Sequence, residues 1–254
     1  MSASKHQYAV IAGSGFQSLG EDTREYHLTT EFGDPSSPLR ELKYDDQTVF
    51  LLARHGDRLL TPPHRINYRA NLAALKSRDV ASIIAINTIG VITAGQHPGE
   101  IAIPDQIIDY TYGRDHSFYD GESDNLDHIE FTEPFAQRLR QELCAAAAHA
   151  GITVHDGGVY AATQGPRLET IAEVNRLEHD GADYIGMTAM PEASLARELE
   201  IEYACLSLIV NYAAGRGEKA IHADIEASTL TARTQALKIL QELFRSMGSN
   251  SIDS

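Results

Sequence analysis

The chain has 254 residues, 43% of them hydrophobic and 22% charged, which suits one sizeable α/β domain or two small ones and excludes a disordered chain. Its formal net charge is −15, with 21 Lys and Arg against 36 Asp and Glu. That balance argues against binding to nucleic acid or to an anionic membrane, because the summed field repels phosphate polymers, yet local basic residues can still hold one phosphate in a cleft.

Short β-branched runs alternate with helical patterns. In chain order the pattern predicts strands over 7–12 and 47–53, a helix over 65–78, strands over 80–87 and 101–109, and a helix over 132–150. A strand over 157–162, a helix over 167–180, a strand over 183–187, a helix over 191–199, a strand over 201–210 and a helix over 223–246 follow. Pro134 falls in the first turn of the 132–150 helix, where a missing N–H costs little, and Gly151 and Gly181 stop the helices before them. Such alternation means a largely parallel sheet covered on both faces, with sites at the carboxyl ends of strands. The polar segment 111–130 is a long loop of the kind that is commonly functional. No repeat or linker divides the chain, so a single domain over 1–247 is expected, with a frayed tail over 248–254.

The chain opens without a signal peptide pattern and has no apolar stretch near the roughly 20 residues that span a bilayer, so a cytoplasmic protein is expected. Cys144 and Cys205 sit in helix-like and strand-like apolar surroundings, as core thiols of a reducing compartment do. Of the 11 histidines, His6, His149, His155 and His179 read as surface or core residues, and none has a zinc-type spacing, so no metal site is expected.

Three strand ends gather donors that suit an oxyanion. Arg54-His55-Gly56 follows the apolar run 48–53, and a guanidinium beside an imidazole at a strand mouth matches phosphate. Gly13-Ser14-Gly15 follows the first strand. Phe16-Gln-Ser-Leu-Gly20 supplies no third glycine for a dinucleotide fingerprint, and a small anion nest with the Ser14 hydroxyl fits better. Asn87-Thr88 ends a strand too apolar to be solvated, so its polar groups must find partners. Further on, Gln164-Gly165-Pro166-Arg167-Leu168-Glu169-Thr170 joins a strand to a helix beginning near Arg167, with Glu169 in the first turn, where a carboxylate also suits the helix dipole. Thr188, at the next strand-to-helix junction, can offer a hydroxyl and a backbone N–H to an anion or can cap the helix. Asn211 puts an amide at the end of a buried strand, where a turn is the plain alternative.

Taken together, these segments resemble the 5′-methylthioadenosine phosphorylase and purine nucleoside phosphorylase family over nearly the whole chain. The resemblance rests on Gly13-Ser-Gly15, Arg54-His-Gly56, Pro63-His-Arg-Ile-Asn-Tyr-Arg-Ala-Asn71, Ser117-Phe-Tyr-Asp-Gly121, Gly165-Pro-Arg167 and Gly186-Met-Thr188 in that order. It implies a three-layer α/β/α sandwich around a mixed, largely parallel sheet, a homotrimer, and cleavage of a purine N-glycosidic bond by inorganic phosphate as co-substrate, without metal or organic cofactor. It further implies that Ser14, Arg54, His55, Thr88 and Thr188 hold phosphate with Asn87 beside them, and that Met187 packs on the ribose. Leu168, Glu169 and Asn211 would face the base, Tyr212 and Ala213 would close that pocket, and His128 would reach a neighbouring subunit's site near the sugar 5′ position. Catalysis would then fall to Asn211, Glu169 and His55.

Relatives acting on 6-aminopurines resemble the chain but carry aspartates where it has Asn211 and Ala213, and a small hydroxyl residue where it has Glu169. A carboxylate at Glu169 accepts a hydrogen bond from the N1–H of a 6-oxopurine and repels the N1 lone pair of adenine, a mismatch costing about 1–3 kcal/mol. The expected substrate is therefore S-methyl-5′-thioinosine, with inosine and guanosine as further candidates and 5′-methylthioadenosine as the alternative. His222 aligns with a position that is apolar in methylthio-preferring relatives and histidine in ordinary nucleoside phosphorylases. A nucleoside hydrolase would need water activation instead of a phosphate grip, and a non-catalytic nucleoside binder would have no use for the phosphate set.

Overall fold

Along strand β1 (Gln7–Ala12), Ala9 and Ile11 face one apolar core while Tyr8, Val10 and Ala12 face another, so every residue of the strand interior is buried on one side or the other. The same period of two recurs in β4 (Gln47–Ala53), β5 (Val80–Val91) and β11 (Glu202–Tyr212). Strands buried on both faces read as continuous apolar runs, which is why these four are plain in the sequence. The computed structural model describes residues 6–13, 16, 22–44, 47–121, 126–218 and 225–249.

β1 lies between β4 and β5 and runs parallel to both, and β11 pairs with β5 in parallel from Glu202 to Tyr212. One further arm of the sheet is formed by β10 (Tyr184–Gly186), β9 (Val159–Ala162) and β7 (Gln106–Asp109), with β10 antiparallel to β5. Another runs from β11 through β6 (Ile101–Ile103) to β8 (Val154–Asp156). Helices α1 (Tyr68–Lys76) and α4 (Ala189–Glu198) cover the first core, and α2 (Gln137–His149) and α5 (Ile225–Ser249) cover the second. A smaller core packs under α3 (Ile171–His179) around Val174, Leu177, Ile92 and Ile185. The architecture is the mixed, mostly parallel three-layer sandwich that the resemblance implies.

Local chemistry sets the element ends. The Asn67 side chain accepts from Ala70 N at the start of α1, and Thr170 with Glu173 forms a capping box at the start of α3. Gly151 and Gly181, both at positive φ, follow α2 and α3 as anticipated. Several boundaries differ from the sequence reading. Helix α2 begins at Gln137 rather than 132, so Pro134 precedes it, and α3 begins at Ile171 rather than near Arg167. The 101–109 run is two strands, broken at Pro104, which has no N–H for a ladder. Strands β2 (Asp22–Tyr26) and β3 (Leu39–Tyr44), a charged antiparallel margin beside β4, were not anticipated, nor was β8. Helix α5 continues to Ser249, two residues past the expected domain end. Cys144 and Cys205 are free thiols. Among the described residues no helix is long and apolar enough to cross a membrane, and no cluster of His, Cys, Asp and Glu could hold a metal ion.

Candidate active site

The carboxyl ends of β1, β4, β5, β10 and β11 converge on a cavity of about 470 Å³. Its lining joins Gly13, Arg54, His55, Asn87, Thr88 and Thr188 from the anticipated anion set to Leu168, Glu169, Met187, Asn211 and Ala213 from the anticipated base and sugar set. Sequence segments from five strand ends thus meet at one place, which a shared chemistry explains and surface salt bridging or ordinary turns do not.

The anion end is built on Arg54, which is fully buried rather than presented at a surface mouth. Its Nε and Nη2 donate to the two oxygens of Glu192 at 2.8 and 2.7 Å, and Nη1 donates to the Ile86 carbonyl at 2.9 Å. Two of its five N–H groups stand outside these bonds. Burial alone would lower the guanidinium pKa, but the facing Glu192 carboxylate, with smaller help from Tyr203 and Tyr68, more than reverses this and leaves it raised. Gly13 is needed beside it, because a Cβ there would stand 2.7 Å from the Ile86 oxygen and 3.3 Å from Nη1. Behind Arg54, the Tyr203 hydroxyl donates to Glu192 at 2.8 Å, the Cys205 thiol points at Tyr203 at 3.8 Å, and the Asn87 amide donates to Cys205 Sγ at 3.2 Å. Burial pushes the Cys205 thiol up to about 12, so it stays protonated as a donor. Asn87 Oδ1 is buried with no hydrogen-bond partner among the described residues. Thr188 is the residue before α4 but its side chain caps nothing, which leaves the hydroxyl to the cavity. His55 Nδ1 lies 2.8 Å from the Thr61 carbonyl, and Thr61 N donates back to the His55 carbonyl at 3.1 Å.

At the opposite end, Glu169 does not belong to a helical turn. It precedes the Thr170 cap, and its carboxylate is fixed instead by the Thr163 hydroxyl at 2.7 Å. Asn211 follows a β-bulge, where the pairing of β11 with β5 steps from Ile209↔Ile89 to Asn211↔Gly90. The bulge re-aims the strand so that Asn211 and Ala213 both reach the cavity. The Asn211 amide donates one N–H to the Tyr212 carbonyl at 2.8 Å, so a second N–H and Oδ1 remain. Gly90 makes room for it, since a Cβ there would come within 2.9 Å of Nδ2.

Two anticipated residues lie elsewhere. Tyr212, next along β11, lines a neighbouring cavity of about 780 Å³ that Asn211 also borders, together with His97 and Arg216, and bonds to His97 at 2.7 Å. His128 is exposed in the long loop and does not line the cavity of its own chain. Ser14 and His222 lie outside the described residues.

A profile of the phosphorylase superfamily matches residues 7–245. The chain belongs to that superfamily. It is 47% identical over 216 residues to the probable S-methyl-5′-thioinosine phosphorylase of Pseudomonas syringae pv. tomato, covering 84% of this chain and 88% of that protein. It is 41% identical over 224 residues to the 6-oxopurine nucleoside phosphorylase of Pyrococcus furiosus, covering 85% and 84%. Among solved structures, the methylthioadenosine phosphorylase of Schistosoma mansoni in complex with tubercidin superposes with a TM-score of 0.89 at 30% identity, covering 96% of this chain and 92% of that one.

Within this superfamily framework, the sequence reading missed the residues that hold the site in shape. Glu192 lies 138 residues beyond Arg54, and nothing local marks it. One general signal existed, because a buried arginine requires a countercharge and Glu192 stands in the first turn of α4 among the buried Met190, Ala193 and Leu195. Arg114, in the long loop, was also missed. Its guanidinium donates to the carbonyls of Gln164, Met187 and Met190 at 2.9, 2.9 and 2.6 Å and more loosely to that of Thr163 at 3.3 Å, tying the loop to the segments that carry Glu169 and Met187.

Proposed function

We propose that this phosphorylase cleaves the N-glycosidic bond of a 6-oxopurine nucleoside, S-methyl-5′-thioinosine foremost, using inorganic phosphate and releasing the free base and 5-methylthioribose 1-phosphate. The observation that carries the reading is the placement of Glu169 and the Asn211 amide in one cavity with Arg54, Thr88 and Thr188. The names of the Pseudomonas and Pyrococcus relatives support the same base class. Pro63, Leu168, Met187 and Ile225 supply apolar wall for a methylthio group.

In this reading phosphate sits against the two remaining Arg54 N–H groups and the hydroxyls of Thr88, Thr188 and Ser14. As the C1′–N9 bond breaks, its electron pair passes to the purine and the ribose becomes an oxocarbenium-like cation. A phosphate oxygen held below C1′ stabilises that cation and then forms the new C–O bond, so positioning supplies much of the rate. The free Asn211 N–H donates to purine N7 as negative charge builds there. The Glu169 carboxylate accepts from N1–H, with Thr163 holding its other side. The reaction so drawn uses no metal and no organic cofactor. Assembly as a homotrimer in the cytoplasm, with the exposed His128 completing a neighbour's site, belongs to the same proposal, and mixing inactive Arg54 and His128 variants should then restore some activity.

Omitting phosphate tests the reading. Hypoxanthine release from S-methyl-5′-thioinosine should stop without phosphate and resume with it, whereas release that ignores phosphate would make the protein a hydrolase.

A further inference from the structure

His55 stands beside Arg54 in the cavity wall, and the two ring nitrogens have different fates. A carbonyl oxygen can only accept, so the 2.8 Å contact between Nδ1 and the Thr61 carbonyl puts the ring proton on Nδ1. The turn that makes this contact is closed at both ends, because Thr61 N returns a bond to the His55 carbonyl and Gly56 N bonds to Ala53 O. Nε2 is then the nitrogen left to a ligand, and in the neutral ring it carries a lone pair. Burial, and after it the adjacent Arg54 charge, lowers the His55 pKa below its ordinary value, outweighing the Thr61 bond and the more distant Glu192. The ring is therefore neutral near pH 7.

A neutral Nε2 acceptor is wrong for an oxyanion that has only lone pairs and right for one that carries an O–H. We infer that His55 is a specificity residue that accepts a hydrogen bond from a protonated phosphate oxygen through Nε2, so that the site selects protonated tetrahedral oxyanions over sulfate. Phosphate and arsenate both carry at least one proton near pH 7, while sulfate of similar size and charge carries none. Arg54, Thr88 and Thr188 donate to the unprotonated oxygens, and His55 reads the one that bears hydrogen. The inference rests on the proposed phosphate site and deepens it, since the sequence alone cast the imidazole as one more donor.

The test compares equilibrium binding of phosphate, arsenate and sulfate to the nucleoside-free protein by calorimetry at pH 7.5, for wild type and His55→Ala. Wild type should bind phosphate and arsenate about tenfold or more tightly than sulfate, because a site built around a ligand's O–H penalises the analogue that lacks it. In His55→Ala the preference should shrink to about twofold, through weaker phosphate binding rather than tighter sulfate binding. Equal binding of sulfate and phosphate by wild type, or an unchanged preference in His55→Ala, would overturn the inference. If His55→Ala does not fold, the wild-type comparison decides alone. The phosphate requirement for nucleoside cleavage separates the two claims: phosphate-dependent turnover with no discrimination against sulfate sinks only the role of His55, and phosphate-independent turnover sinks the site as well.

Discussion

The two ends of the cavity are built differently. At the anion end Arg54 and Glu192 are fully buried and bonded to each other, and Asn87 and Thr188 are nearly buried, with the Asn87 amide held on Cys205. At the base end Glu169 and Asn211 are half-buried, Leu168 is 37% exposed, and the polar groups hang on a pre-helical turn and a bulge. The difference follows from what each end must do. In the proposed reading a phosphate dianion of one shape needs preorganised donors, which suits an end set into the sheet, while purine discrimination rests on the hydrogen-bond polarity of two side chains.

The comparison breaks most sharply at Arg54. Arg54→Ala should abolish most phosphate-dependent turnover, a loss of at least about 1.5–3 kcal/mol in transition-state binding. Because Glu192 then stays buried without its partner, the same change should also cost about 3–5 kcal/mol of folding stability by denaturant titration. Normal stability together with normal kcat/KM for phosphate would remove Arg54 from the site.

A smaller effect is expected at the base end, and it should appear as selectivity rather than collapse. Replacing Glu169 by Ser and Asn211 by Asp should narrow the preference for S-methyl-5′-thioinosine over 5′-methylthioadenosine by about tenfold, roughly 1.4 kcal/mol, while stability changes little. The ratio of kcat/KM values is the readout, since either change can lower both rates. Smaller again, Tyr203→Phe removes one hydrogen bond to Glu192 and should raise KM for phosphate by about three- to tenfold while leaving KM for the nucleoside alone. A parallel rise in both constants would mean that Tyr203 supports the fold and not the anion end.

The mildest effect is on stability against pH. His55 is held below its ordinary pKa in the folded state, so below about pH 6.5 the unfolded chain takes up a proton that the folded protein refuses. Stability should therefore fall as pH drops from 7 toward the folded-state pKa and level off below it. His55→Ala should lose that part of the slope, and an identical slope in the variant would show that His55 titrates normally.

The anion end was legible because Arg54-His55, Asn87-Thr88 and Thr188 break apolar runs; Arg54-His55 and Thr188 follow strand ends, whereas Asn87-Thr88 lies inside β5, which runs on to Val91 instead of ending at 87. Glu192 and Tyr203 were not, since what defines them is a partner brought close only by the fold. The buried strands β1, β4, β5 and β11 were plain for the same local reason. The marginal strands β2 and β3 were not, because Asp-Thr-Arg-Glu-Tyr is mostly charged and Leu-Arg-Glu-Leu-Lys-Tyr sets its two buried leucines, Leu39 and Leu42, three apart, which hides the strand period of two. Glu169 was found as a residue but given the wrong surroundings, because the start of α3 was placed too early and its true partner Thr163 lies on the preceding segment.

The most direct test is the kcat/KM ratio for S-methyl-5′-thioinosine over 5′-methylthioadenosine, measured at one saturating phosphate concentration with the wild-type protein. A carboxylate at Glu169 and an amide at Asn211 predict a ratio of at least about ten in favour of the 6-oxopurine. A ratio below one would contradict the polarity argument and make 5′-methylthioadenosine the substrate.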